Sequence, residues 1–276
     1  KKWSLKTIAA KLNVSTATVS NAFNRPDQLS EKRRQEILSA CAKLNYFGPN
    51  RAAQSLRKGK TNIVALVLSD NVEYTVTDPV ANQVIKGISS VTDKSGYKLL
   101  LFSGDSDSIC SVVDFVDGFI CVGAPTNPQL IKEIRETSKH VVTMDFDIER
   151  NASVSIDNKL AAYEIAKQAL HGADDRVAIL GLRLLESPHT CRVYNLKDTL
   201  EYTVSHQRLL GYLAALEEKQ LEIAGDRIWN IPESSEDVAI IAVKEALSST
   251  PRPTVLLCMS DRIALTALNE ARKLNI

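Results

Sequence analysis

Thr16, Ala17, Ser20 and Asn21 have the types and the spacing to read a nucleic-acid groove. At 3.6 residues per turn they share one helix face, while Val19, Ala22 and Phe23 share the other. Small hydroxyl and carboxamide side chains on a slim helix reach base edges, and an Asn amide matches adenine N6 and N7. Such a face has to be held by a second element. The stretch SLKTIAAKLNVSTATVSNAFN supplies it, with Leu5, Ile8, Ala9 and Leu12 in a one-faced stripe and a break at Asn13-Val14-Ser15. Ser15 is placed as the N-cap of the second helix, with Val14 as the apolar residue before it. Two short helices across a tight turn describe a helix-turn-helix whose second helix enters a major groove. The same residues also suit a plain αα-hairpin of some other helical domain.

Charge separates the two. The chain of 276 residues has a net charge of +1, but residues 1–60 hold 13 Lys+Arg against 3 Asp+Glu, leaving 21 against 30 in the remainder. A basic head on an acidic body is the electrostatic footprint of phosphate binding. Ser30 caps a third helix with Ile37, Leu38, Cys41 and Leu44 turned inward, ending near Asn45-Tyr46-Phe47-Gly48-Pro49. Residues 50–60 then offer one or two helical turns and a basic, Gly-containing exit. So short a helix is unstable alone in water, because nucleation is costly. Docked, it has uses: Ala52 and Ala53 permit close helix pairing, and Leu56 is the kind of apolar wedge that opens a minor-groove base step. An ordinary linker with a frayed turn is the competing description.

The length requires more than one core, and 44% hydrophobic residues can fill them. No run of about 18 apolar residues is present and the first residues lack a signal-peptide layout, so a cytoplasmic protein without a membrane segment is expected. Five scattered cysteines, with no CxxC pair, predict free buried thiols. From Ile63 onward apolar strand-length runs alternate with helical patterns: Ile63–Ser69, Lys98–Phe102, Phe119–Val122, Val141–Phe146, a short Ser153–Ile156, Val177–Leu182, Arg227–Ile231 and Thr254–Met259 as strands. Val80, Val84, Ile88 and Val91 mark one of the helices between them. This is the pattern of parallel sheets covered on both faces. Ligands in such sheets bind beyond the carboxyl ends of the strands, which directs attention to Ser69-Asp70, Asp145-Phe146, Asp157 and Ser260-Asp261. Tyr74 and Asp78, in the loop after the first strand, are placed to touch the same ligand.

Enzyme signatures are missing. There is no G-x-G-x-x-G after a strand, no P-loop and no G-x-S-x-G, and His140, His171, His189 and His206 show no metal spacing. No cofactor or metal is expected. His206 is a candidate to line the cleft, and Trp3 and Trp229 are assigned to packing.

The segments SLKTIAAKLNVSTATVSNAFN, LSEKRRQEILSACAKLNY and PNRAAQSLRKGKTN together resemble the head and hinge of the LacI/GalR family of bacterial transcription regulators. The resemblance implies an all-α helix-turn-helix head at 1–48, a hinge helix and linker at 49–60, and a periplasmic-binding-protein-like α/β sensor of two parallel-sheet subdomains, about 61–157 and 158–276. It implies DNA contacts from Thr16, Ala17, Thr18, Ser20 and Asn21, and from Asn50, Arg51, Ala53 and Leu56 of the hinge. Effector contacts fall on VSIDN with Asp157, SHQRLLGYLAAL with Arg208 and LLCMSDRIALTAL with Ser260 and Asp261, joining Asp70 and Tyr74. Asp157 and Arg208, facing each other across the cleft, would suit hydroxyl-rich or anionic molecules. Both also fit structural ion pairs or caps, and Asp261 a helix N-cap.

By the same resemblance the expected protein is a homodimeric repressor on a pseudo-palindromic operator, controlled by a sugar, sugar phosphate or nucleoside-like effector. There are departures. Asn21 stands where the family commonly has Arg, Gly48 is an extra residue before the hinge Pro-Asn, and Leu184–Tyr202 is long enough to shape the pocket mouth. The family's sensor continues beyond the pattern that ends at Ile276, so an incomplete sensor is expected. Competing descriptions are an α/β enzyme with a regulatory head and a non-specific architectural DNA binder.

Overall fold

The computed structural model describes residues 3–48, 59–125, 127–149, 151–200 and 203–276. The hinge residues Asn50, Arg51, Ala53 and Leu56 lie outside the described residues. The chain divides into two units, one comprising Lys1–Asn62 with Phe115–Asp117, the other Ile63–Asp114 with Gly118–Ile276.

In the first unit α1 (Leu5–Lys11), α2 (Thr16–Asn24) and α3 (Glu31–Lys43) each begin at a serine. Ser4, Ser15 and Ser30 accept from the backbone N–H three residues on, which satisfies a donor the first helical turn leaves open. Between α1 and α2, Asn13 takes a left-handed φ of 52°, a conformation Asn tolerates better than most residues, and the chain reverses there. Ile8, Val19, Ala22 and Cys41 are fully buried between the helices, and Phe23 meets Tyr46 edge-on at 5.8 Å. The Arg34 guanidinium donates to the Ala22 carbonyl at 3.1 Å, fastening α3 to the end of α2. Farther along, the Asp117 carboxylate accepts from the Thr61 and Asn62 backbones and from the Thr61 hydroxyl, all within 2.8 Å. Burial pushes that carboxyl upward, but these bonds outweigh it and hold it below the usual carboxylate range.

The second unit contains two sheets. β1 (Ile63–Leu68), β2 (Lys98–Phe102), β3 (Gly118–Val122), β4 (His140–Met144) and β5 (Ala152–Val154) form a parallel sheet in the order β2-β1-β3-β4-β5. With α4 (Val72–Thr77), α5 (Pro79–Lys94) and α6 (Pro128–Glu136) they make the first lobe. The second lobe has α7 (Asn158–Ala169), β6 (Val177–Leu182), β7 (Cys191–Arg192), α8 (Val204–Glu218), β8 (Ile228–Ile231), α9 (Glu236–Ser248), β9 (Val255–Cys258) and α10 (Asp261–Lys273). Its sheet order is β7-β8-β6-β9, parallel except for β7. Among the described residues no helix is long and apolar enough to cross a membrane.

Four expectations need correction. β4 stops at Met144 and not at Phe146, because Asp145 turns into the left-handed region (φ 58°). The short strand runs over Ala152–Val154, where its register with Val142–Met144 is satisfied. The long segment after β6 adds β7 to the edge of the sheet: Arg192 stacks on the buried Trp229 at 5.2 Å and pairs with Glu245, which also accepts from the Trp229 indole. The segment's described residues, 184–200, supply a sheet edge and line neither of the two cavities described below. Finally, Cys41 and Cys121 are buried as expected, but Cys110 is exposed.

α7 and α8 pack closely because Gly211 has no side chain. A Cβ there would lie 2.2 Å from the Lys159 carbonyl and 2.8 Å from the Ala162 methyl. Gly211→Ala is expected to destabilise the second lobe by about 1–3 kcal/mol, the usual range for overpacking, read as a lower denaturation midpoint. An unchanged midpoint would mean the helices separate at no cost.

Candidate functional site

The polar face of α2 is open. Thr16 and Ala17 are exposed, and Thr18, Ser20 and Asn21 are half-buried. Thr18 is committed, its hydroxyl 2.8 Å from that of Ser15, and Ser20 accepts from the Asn24 amide at 3.4 Å. Among the described residues nothing engages the Asn21 carboxamide, which leaves its donor and acceptor for an external partner.

In the second unit, the carboxyl ends of β1, β3, β4 and β6 converge on a cavity of about 300 Å³ between the two lobes. Gly104 makes the first wall possible, since a Cβ there would sit 2.2 Å from the Leu68 carbonyl; its N–H binds the Asp70 carbonyl at 2.9 Å. Asp70, just past β1, forms an ion pair with Arg183, just past β6. Arg183 adopts φ 51°, a costly conformation for a long side chain. It is held there by its N–H on the Ile231 carbonyl at 2.8 Å and its Nε on the Pro232 carbonyl at 3.3 Å. The guanidinium lies 5.5 Å from the centre of the Tyr74 ring. The Tyr74 hydroxyl accepts from the Ser234 N–H at 3.4 Å, and burial pushes its pKa up, so it stays protonated. The two lobes are therefore tied at three points.

Arg208 lines the same cavity from α8. It donates to the Asn158 side-chain oxygen at 3.0 Å and to the Met259 carbonyl at 2.7 Å, both neutral acceptors. Its neighbour Tyr212 donates to the Cys258 carbonyl at 2.9 Å, with burial pushing the phenol up to about 12.

The structure thus brings together Asp70, Tyr74 and Arg208 on one cavity and places the others on adjoining hollows. Asp157 does not face Arg208 as an ion-pair partner. It caps α7 through the Leu160 N–H at 2.9 Å and lines an adjoining cavity of about 290 Å³. Ser260, and not Asp261, caps α10, and its hydroxyl meets that of Ser234 at 2.9 Å. Neither Ser260 nor Asp261 lines the two cavities; both border a further hollow of about 280 Å³ against α7, which shares Arg208 with the first cavity. His206 is bound to the Thr199 hydroxyl at 3.0 Å and lines neither cavity. Sequence reasoning missed Arg183. Its position one residue beyond a buried apolar strand was the signal that selected Asp70, and it applied equally here. Among the described residues no three His, Cys, Asp or Glu side chains converge as a metal ion would require.

A basic helix-turn-helix head in one chain with a two-lobed parallel-sheet body defines a class, the DNA-binding transcriptional regulators. Residues 4–50 match the family of bacterial regulatory proteins named lacI. An HTH-type transcriptional regulator of Mycolicibacterium smegmatis is 30% identical over 99% of this chain and 78% of its own length. The ribose operon repressor of Bacillus subtilis is 26% identical over 97% of this chain and 76% of its own. Of solved structures, the lac repressor dimer bound to operator and an anti-inducer shares the fold, with a TM-score of 0.65 at 20% identity over all of this chain and 79% of that one. The chain belongs to the LacI family of bacterial regulatory proteins and is a transcriptional regulator.

Because Ser15 fixes the start of α2, Ser15→Ala is expected to lower head stability by about 1 kcal/mol, the usual loss for a missing N-cap. Amide exchange in α2 against α8 of the same chain measures it, and equal protection before and after would show that the cap contributes nothing.

Proposed function

We propose that this regulator is a repressor that binds a pseudo-palindromic operator as a homodimer and is controlled by a small molecule in the cleft of its sensor, residues 61–276. One observation carries the reading: the 300 Å³ cavity takes polar groups from both lobes, so its occupant senses how the lobes are set. Asp70, Tyr74 and Arg208 are the effector contacts and Thr16, Ala17, Thr18, Ser20 and Asn21 the base-reading face, with Asn50, Arg51, Ala53 and Leu56 assigned to the hinge. The domain division at 48 and 60 goes with this assignment. Asp157, on the adjoining cavity, and Ser260 and Asp261, on the hollow that shares Arg208, complete the assigned effector contacts.

The names of its relatives support this reading. One is a ribose operon repressor, and the lac repressor neighbour is a dimer on its operator. A homodimer also suits α5, which buries none of its residues completely and leaves Val91 exposed. In the proposed mechanism, a ligand that prefers one lobe arrangement shifts the population toward it, and the marginal hinge helix converts that shift into altered operator affinity. A coupling of about 1–3 kcal/mol is enough for a working switch.

Selection of duplexes from a random pool by the full chain, at two salt concentrations, tests the operator reading. A palindromic consensus is expected, and recovery of no consensus would reduce the head to phosphate binding. Asn21→Arg is expected to change base preference at one position of each half-site, from adenine to guanine, as the bidentate pairings dictate. An unchanged consensus would remove Asn21 from base reading. Arg208→Ala is expected to keep operator binding and lose the ligand response; a retained response would leave Arg208 a brace between Asn158 and Met259.

A further inference from the structure

The cleft has a charge pattern that selects among ligand classes. Around the first cavity stand Asp70, Asp78 and Asp145 against Arg183 and Arg208. The adjoining cavity shares Asp145 and Val204 with it and adds Asp147 and Asp157, with no lysine or arginine among its described lining residues. Among the described lining residues of the two cavities, carboxylates therefore outnumber guanidinium groups.

More decisive is how each cation is used. Arg183 presents the planar fork that would grip a phosphate or carboxylate, and its plane is preorganised by the Tyr74 ring and the Pro232 carbonyl. Its Nη1 already holds an anion, the Oδ1 of Asp70, whose side chain is only 14% exposed, and its Nε is spent on the Pro232 carbonyl. Displacing Asp70 would leave it desolvated, without its cation and next to an incoming like charge. Arg208 is the other cation. It is anchored by neutral acceptors, and the Asp145 carboxylate on the same cavity has no hydrogen bond or ion pair among the described residues. The remaining N–H groups of Arg208 and the Asp145 carboxylate thus offer donors and an acceptor to a ligand, a combination that a hydroxyl satisfies in both directions. Leu68, Val84, Ile85 and Val122 give the wall an apolar stretch that suits the C–H face of a ring.

We propose that Asp70, by occupying Arg183 across the cleft, acts as an anion filter that restricts the effector to uncharged, hydroxyl-bearing molecules of about monosaccharide to nucleoside size. This rests on the reading of the cleft as the effector site and narrows it. Sugar phosphates and carboxylates are excluded, and Asp70 and Arg183 are the specificity-determining pair.

The test uses neutral and phosphorylated twins on the full chain by titration calorimetry: ribose with ribose 5-phosphate, glucose with glucose 6-phosphate, and cytidine with its 5′-monophosphate. At least one neutral member is expected to bind, with its phosphorylated twin weaker by about tenfold or more, as like-charge juxtaposition requires. In Asp70→Asn, which keeps the shape and frees the Arg183 fork, the gap is expected to narrow. A twin that binds as well as or better than its neutral partner overturns the filter, whether or not Asp70→Asn folds. A gap that persists unchanged in a folded Asp70→Asn removes Asp70 from that role. If no member of any pair binds while the chain still selects an operator, the effector reading of the cleft fails, and the filter with it.

Discussion

A carboxylate withdrawn from water must find a cation, and Asp70 finds its cation on the other lobe. Arg183 is 113 residues farther along the chain, so the pair is made only when both sheets are complete and their strand ends are opposed. Each side of the contact is expensive to arrange. Asp70 needs the glycine at 104 to let the next loop approach β1, and Arg183 needs a left-handed backbone braced by two carbonyls of the β8 end. Neither arrangement improves the core of its own lobe. Their joint effect is to fix the separation of the lobes, and with it the size of the cavity behind them.

The tie also explains why the polar groups of the cleft divide as they do. Residues at the carboxyl ends of parallel strands are polar in many folds, but they serve different masters. Asp78 and Asp157 are bound to helix N-termini, where the exposed N–H groups and the dipole hold a carboxylate. Ser260 does the same for α10 and is further bound to Ser234. Asp145 and the outer edge of Arg208 are left for a guest. A side chain that is already a cap has one acceptor fewer to offer a ligand, as at Asp157 and Ser260.

Legibility in the sequence followed the range of the interactions. Serine caps, the Asn13 turn and the apolar strands are set by residues within a few positions of each other, and all were readable from spacing. The ends of β4 and β5 were misplaced by two residues at most, because alternation does not register a left-handed turn at Asp145. β7 was invisible for another reason. Two residues, Cys191 and Arg192, carry no periodicity, and the strand exists because β8 offers an open edge and Trp229 a ring for Arg192 to cover. Arg183 was overlooked because its function lies in a partner on another lobe, although its place at a strand end was marked.

The same reasoning bears on how a switch can be built without a large ligand energy. Three contacts tie the lobes across the cleft, so a ligand need only distinguish this arrangement from a looser one. Binding equally well to both would shift nothing, however tightly it bound. Groups that touch both lobes make that distinction, and here they are few: Asp70 and Tyr74 on one side, Arg183 and Ser234 on the other. A ligand that weakens or strengthens this set acts on the lobe equilibrium directly. A ligand that reaches from Arg208 on the second lobe to Asp70 or Tyr74 on the first would draw both walls into that choice, so the same contacts would carry affinity and response.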